Sequence, residues 1–300
     1  MLKRLKVFKM MGITMAMMIA LCGCTDKGND KKETDSRTTA EVTAETTSEN
    51  ESSSATDDQT VTDNTMEDET ITTTEATTEE VTTEMTTEKI EYEKIHDKAK
   101  LLYMGHASIR ITTVEGKVIY IDPYAGEGYD VPADLILITH GHGDHNMPQL
   151  IETQNEGCKT ISYMDCIVDG VHQSFDLGYV QVDAVEAGYN RNHDEKICVG
   201  FILTFSDGVT VYVTGDTSET KQMPSLAERA LDYAFFCCDG VYNMGLEEAA
   251  KCAEEVGAKH NIPYHMIPGD RGIFDREVAE QFNATNRLII EAGEEIELEK

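Results

Sequence analysis

The sequence predicts an α/β domain of packed β-sheets with helices outside, carried at the end of a long disordered tether. Three observations lead there. Composition changes abruptly near residue 96, from a Thr- and Glu-rich polar stretch to a chain that alternates apolar runs with Gly and Asp. Beyond that point short β-rich runs recur, several of them joined by tight turns. Between and after those runs, three segments carry helical periodicity instead.

The chain opens on Met1–Lys9, which holds Lys3, Arg4, Lys6 and Lys9, followed by an apolar run, Met10–Leu21. That run is too short to span a bilayer comfortably as a mature helix. It ends in Leu21-Cys22-Gly23-Cys24, after which the chain turns polar at once. A basic segment, a short apolar segment and Leu-x-Gly-Cys together resemble a bacterial lipoprotein signal. The resemblance implies that residues 1–23 are removed, that Cys24 carries the lipid, and that the rest is extracytoplasmic and anchored to the membrane.

Residues 24–96 form the expected linker. From residue 26 they are mostly Thr, Glu, Ser, Asp, Ala, Val and Lys, with no aromatic until Tyr92. Such a stretch buries too little apolar surface to offset its ordering entropy, so it is expected to be disordered. A flexible chain of about 70 residues reaches roughly 45 Å, and like-charge repulsion extends it. The linker carries about half of the formal net charge of −31. An acidic balance of this size argues against nucleic acid as a partner, because phosphate backbones need clustered Lys and Arg.

The folded part is expected over Asp97–Lys300 as one domain, long enough for one sizeable core. Strand-like runs occur at Leu101–Met104, Ser108–Thr113, Val118–Asp122, Leu135–Thr139, Val180–Ala184, Val199–Phe205, Val209–Thr214, Ala234–Cys238 and Ile262–Met266. Hairpin-like turns at Val114-Glu115-Gly116 and Ser206-Asp207-Gly208 make much of the sheet antiparallel. Helical spacing appears at Ser218–Ala230, Leu246–Val256 and Asp275–Ala284, with Pro224 disturbing the first and Gly257 ending the second. Six cysteines lie in this part, at 158, 166, 198, 237, 238 and 252. None has Cys-x-x-Cys spacing, and three sit in apolar runs, so mostly buried thiols are expected.

The chemistry is concentrated after one apolar run. Leu135–Ile138 leads into Thr139-His140-Gly141-His142-Gly143-Asp144-His145. Three imidazoles and a carboxylate within six residues make little sense as core, since burying unpartnered polar groups is costly. The intervening glycines allow a tight loop from which alternate side chains converge on a metal ion.

The His-x-His-x-Asp-His motif resembles that of the metallo-β-lactamase superfamily, and later segments follow the family's order. Asp122, closing its strand, matches the first-motif carboxylate that buttresses the ligand loop. His193 matches the third-motif histidine, Asp216 in Gly215-Asp216-Thr217 the aspartate between two metals, and His265 in Pro263-Tyr264-His265 the last-motif histidine. The resemblance covers about Asp97–Lys300. It implies an αββα sandwich with the site along one edge of the two sheets. It further implies that His140, His142 and His193 hold one ion, that Asp144, His145 and His265 hold a second, and that Asp216 bridges them. Gly105-His106-Ala107-Ser108, Ala187–Asn190, Asp239–Met244 and Glu248-Ala249-Ala250 resemble one branch, that of ascorbate-6-phosphate lactonase and many metal-dependent hydrolases. One feature departs from it: the branch's Pro-Met-His-Tyr is here Pro263-Tyr264-His265-Met266.

Imidazole and carboxylate donors suit two divalent ions, zinc first, with iron or manganese also tolerated. Two such ions acidify a shared water and polarise a carbonyl or phosphoryl group. The expected activity is therefore hydrolysis of an ester, lactone, amide or phosphoester, in a small molecule or an envelope component. Asp144 is the candidate catalytic residue, orienting the attacking water as well as binding metal. His106 and Asn190 are candidate substrate contacts. Arg271 and the histidines at 96, 172 and 260 are expected at the surface. A di-iron redox protein of the same fold and a non-catalytic surface binding protein are the competing expectations, separated by metal identity and by turnover. At the N-terminus, Cys24→Ala is expected to abolish incorporation of labelled palmitate and to leave residues 1–23 uncleaved. A labelled variant would remove the lipoprotein reading.

Overall fold

A computed structural model describes residues 92–269 and 271–300. The expected signal segment, the lipid site at Cys24 and nearly all of the linker lie outside the described residues. Residues just ahead of Asp97 already lie against the domain: the Ile95 and His96 amides donate to the Val114 carbonyl at 2.7 and 2.8 Å, and Tyr92 packs edge-on against Tyr179.

In chain order the strands are β1 (Lys100–Gly105), β2 (Ser108–Thr112), β3 (Val118–Ile121), β4 (Ala133–Ile138), β5 (Gln154–Ser162), β6 (Ile167–Val168), β7 (Val171–His172), β8 (Ser174–Asp176), β9 (Val180–Glu186), β10 (Val199–Phe205), β11 (Thr210–Val213), β12 (Tyr233–Cys237), β13 (His260–Tyr264) and β14 (Glu294–Glu297). The helices are α1 (Tyr163–Cys166), α2 (Leu246–Val256) and α3 (Arg276–Gln281). Two six-stranded sheets run β14-β1-β2-β3-β4-β5 and β13-β12-β11-β10-β9-β8, with a small β6–β7 ribbon apart. Each sheet makes the same succession of pairings. β1–β2 and β2–β3 are antiparallel, β3–β4 and β4–β5 parallel. β9–β10 and β10–β11 are antiparallel, β11–β12 and β12–β13 parallel. The two halves are thus topological repeats.

One continuous apolar cluster joins the inner faces, with Ile109, Leu135 and Leu137 from the first sheet and Val182, Phe201 and Phe235 from the second. β4 shows why it is apolar throughout. Leu135 and Leu137 point inward, while Ile136 and Ile138 join a second cluster with Tyr120, Tyr129 and Ile151 on the outer face. A strand covered on both faces loses the polar half of its alternation. β5, by contrast, is an exposed edge strand of polar residues. It has no apolar alternation to announce it, which is why the sequence reading passes over it, along with the short β6, β7 and β8 and the polar β14.

On the second sheet α2 buries Ala249, Cys252, Ala253 and Val256, one stripe at helical spacing. It ends at Gly257, whose φ of +65° and amide bond to Ala253 form a left-handed cap. The helix expected over 218–230 is reduced to a 3-10 stretch, Met223–Arg229, with Pro224 in its first turn and Ala230 left-handed at its end. Residues ahead of it are committed elsewhere, since Thr217 pairs with Gly188 as an isolated bridge. α3 begins where Asp275 accepts from the amides of Glu277 and Val278, and stops at Gln281 rather than Ala284. All six cysteines among the described residues are free thiols, five of them buried. His172 and His260 are half-buried rather than on the surface, and His260 stacks on Tyr233.

Phe235 is fully buried, between Tyr103 of the facing sheet and Tyr264. Phe235→Ala is expected to cost about 3–5 kcal/mol of stability, read from the denaturant midpoint of the full-length protein.

Candidate metal centre

Strand ends converge here because of the parallel pairings. Asp122 follows β3, the loop His140–His145 follows β4, Asp216 lies just past β11, Asp239 just past β12 and His265 follows β13. Functional groups in sheets of parallel strands collect beyond their carboxyl ends, and the repeated topology brings two such edges together. His193 enters from the β9–β10 connection.

Donor atoms fall into overlapping groups, within each of which all lie within 4.8 Å of one another: His140, His142 and His193; His140, His145 and Asp216; and His106, Asp144, His145 and His265. Asp216 stands at the middle. His145 Nε2 is 3.2 Å from its Oδ1, and His193 Nε2 and His265 Nε2 are 3.3 and 3.4 Å from its Oδ2. All seven residues expected as ligands are brought to this one place.

Three of the four rings have a hydrogen-bonded neighbour at Nδ1, and the fourth, His265, faces a carboxylate without a hydrogen bond to it. Asp122 Oδ2 meets His145 Nδ1 at 2.8 Å, Thr139 Oγ1 meets His140 Nδ1 at 3.1 Å and Asn190 Oδ1 meets His193 Nδ1 at 3.2 Å. Asp239 Oδ2 lies 3.4 Å from His265 Nδ1. The Thr139 hydroxyl donates to Asp122 at 2.6 Å, so it accepts from His140. This leaves Nε2 of each ring aimed at the centre. The Nε2 atoms of His140, His145 and His265 and Oδ1 of Asp216 are buried without a hydrogen-bond partner. Buried polar groups are normally satisfied, and several orphaned donor atoms converging on one point fit a cation.

Charge follows from the same packing. Burial, reinforced by His145, pushes His140 down to about 2, so it is a neutral ring with a free lone pair. Burial also lowers His193 and His265. For His145 burial is outweighed by the Asp216 and Asp122 carboxylates, which hold its pKa well above the ordinary value. Burial opposes ionisation of Asp216, but His145 and His265 outweigh it and keep the carboxylate charged. Asp144 is held below the usual carboxylate range in the same manner, burial being overcome by the His106 hydrogen bond and then by His145 and His265.

The backbone is bent to reach this arrangement. Of the seven non-glycine residues with positive φ among the described residues, His106, Asp122, Tyr189 and His265 lie at or beside the centre. Such conformations are costly and persist where the surroundings impose them. Gly215, just before Asp216, has a φ of +63°, and a Cβ there would lie 2.6 Å from the Val199 carbonyl oxygen.

A cavity of about 200 Å³ opens on the centre, lined by His142, Asp144, Asn192, His193, Asp216, Tyr242, His265 and Gly269. The two expected substrate contacts are not on its wall. His106 is buried behind Asp144. Asn190 accepts from the amides of Asn192 and His193 and braces the His193 ring. Thr139, bonded to His140, and Asp239, facing His265, stand inside sequence motifs that predict no separate role for them. Their signal was positional: Thr139 precedes the first ligand, and Asp239 lies just past β12 as Asp122 lies just past β3. Tyr264, where the branch pattern departs, is fully buried with its hydroxyl 3.3 Å from the Gly215 carbonyl and from Thr214 Oγ1, bracing the turn that presents Asp216.

A sandwich of two repeated sheets with a histidine and aspartate centre at their parallel-strand ends defines a class, and residues 100–265 match the family described as the beta-lactamase superfamily domain. The chain belongs to that superfamily, and within it to the UPF0173 metal-dependent hydrolase homologues. It is 35% identical to the UPF0173 metal-dependent hydrolase of Geobacillus sp. strain WCH70, over 55% of this chain and 84% of that protein. It is 32% identical to the Pyrococcus furiosus member, over 66% of this chain and 99% of that protein. Among solved structures, Igni18, a metallo hydrolase of Ignicoccus hospitalis, aligns with a TM-score of 0.54 at 22% identity, covering 68% of this chain and 99% of its own, a likeness of fold.

Asp239→Ala removes the group that faces His265 Nδ1. It is expected to weaken Zn²⁺ binding by about 10–100-fold, measured by chelator competition; unchanged affinity would mean that the pair does not orient the ring.

Proposed function

We propose that this protein is a hydrolase working with two divalent ions, zinc by preference, on an ester, lactone, amide or phosphoester. The observation that carries the reading is the set of buried, unpartnered Nε2 atoms of His140, His145 and His265 around the ionised Asp216. His140, His142 and His193 would hold one ion, Asp144, His145 and His265 the other, and Asp216 both. When bound, such a pair supplies Lewis acidity and an acidified water.

The chain's own residues do the rest. Burial and the partners at Nδ1 keep the rings as fixed donors, so the centre needs little rearrangement to bind. Asp144, ionised and on the cavity wall, would orient the attacking water as well as bind metal. Asn192 and Tyr242 line the approach, tied together by the Asn192 amide donating to the Tyr242 carbonyl at 3.3 Å, and are the residues placed to meet substrate. The lactonase-like branch is supported by the motifs at 105–108, 187–190 and 239–244. A lipid on Cys24, placing the enzyme outside the cytoplasmic membrane with a small-molecule or envelope substrate, is supported by the N-terminal sequence.

Elemental analysis of the purified full-length protein is expected to find about two zinc ions per chain, with His142→Ala and Asp216→Ala each reducing that content and abolishing turnover in a panel of lactones, esters and phosphodiesters. Iron in place of zinc would shift the reading to the di-iron redox protein. Metal without turnover would favour a binding protein, and wild-type protein without metal would remove the mechanism.

A further inference from the structure

The placement of His106 is more tightly determined than a loop residue at a hairpin requires. It sits between β1 and β2 with a φ of +54°, a conformation that a residue with a Cβ rarely adopts. Its amide donates to the Ile273 carbonyl at 2.7 Å, and its carbonyl accepts from the His265 amide at 2.9 Å and from the Tyr103 hydroxyl at 2.9 Å. The preceding Gly105 has a φ of +120°, and a Cβ there would lie 3.0 Å from the Ile273 side chain. The backbone is therefore clasped on three sides, one of them the amide of a candidate ligand.

The ring is 1% exposed, its centroid 3.8 Å from that of His265. Its Nε2 lies 3.3 Å from Asp144 Oδ2. Asp144 needs such a partner. Its side chain is 32% exposed, and this is the one side-chain hydrogen bond it makes among the described residues. The distinction from the ring nitrogens around Asp216 is chemical. The Nε2 atoms of His140, His145 and His265 are left without partners, whereas that of His106 is engaged by a carboxylate.

We propose that His106 is a positioning residue: its Nε2–H donates to Asp144 Oδ2, so that the other carboxylate oxygen is left free to hold a metal ion at the cavity wall. This rests on reading the cluster as a metal centre. Ligating carboxylates are themselves commonly hydrogen-bonded, and loss of such partners costs affinity or activity. A direct-ligand role for His106 makes the opposite prediction for a side chain that keeps the donor but not the imidazole.

The test compares wild-type full-length protein with H106A and H106Q, using Zn²⁺ alone as the probe. Ions per chain at saturation come from elemental analysis and affinity from chelator competition. H106A is expected to retain the wild-type stoichiometry at saturating Zn²⁺ but to hold one ion about 10–100-fold more weakly. H106Q, with an N–H to offer Asp144, is expected to recover most of that loss. If H106A does not fold by circular dichroism, H106N takes its place, being suited to a left-handed backbone but shorter than the distance to Asp144 requires. Wild-type affinity in the variant lacking the donor overturns the inference, and so does H106Q as weak as H106A, which would make the imidazole a ligand. Both of those outcomes leave the metal centre standing, whereas a wild-type protein that binds no Zn²⁺ overturns the centre and this inference together.

Discussion

Everything at the centre depends on Asp216, a carboxylate buried among imidazoles. Three ring nitrogens stand 3.2–3.4 Å from its oxygens. An uncompensated charge at that depth is expensive, so the site must always hold positive charge. Without metal, the raised pKa of His145 supplies it as an imidazolium between the Asp216 and Asp122 carboxylates. A bound ion would take over that role, because a ligating imidazole must offer its lone pair. The carboxylate thus makes the cluster a place where protons and cations compete, and the surrounding frame sets the geometry in which they do so.

That frame is a consequence of repetition. Each sheet contributes three strands in parallel array, β3-β4-β5 and β11-β12-β13, and each places a buttressing carboxylate at a strand end: Asp122 against His145, Asp239 near His265. The apolar cluster between the sheets holds both edges in register. Asp122, the His140–His145 loop and Asp239 follow closely on β3, β4 and β12, strands buried along their whole length, and this fixes where their side chains start. Gly215 and the left-handed Asp122, His106 and His265 are where the backbone turns sharply enough to direct side chains inward.

Much of this was legible in the sequence, and for definite reasons. A run such as Leu135–Ile138 announces a strand buried on both faces, and three histidines with an aspartate immediately after it announce a metal loop. α2 was legible to its last residue because the buried stripe and Gly257 agree. β5 was not, because an exposed edge strand has no apolar period to read. The 218–230 segment misled because helical spacing there competes with Pro224 and with the Thr217–Gly188 bridge. Periodicity reports which face is covered, and where no face is covered it reports little.

The neighbours of the ligands were less legible than the ligands. Thr139 and Asp239 look like ordinary strand-end polar residues, and Asn190 and His106 look like residues that could face a substrate. Only the fold places them: Asn190 bonded to the His193 ring, His106 to Asp144, and Asp239 facing the His265 ring at 3.4 Å. The reason is physical. A ligand is identified by what its side chain can donate to an ion, a property of the residue type and its immediate motif. A partner is identified by which ring nitrogen or carboxylate oxygen it leaves free, a property of atoms brought together from distant strands. Selectivity among ions and the orientation of the attacking water live in that second set of contacts, so proteins with the same ligand motif can differ in chemistry without differing in the motif at all.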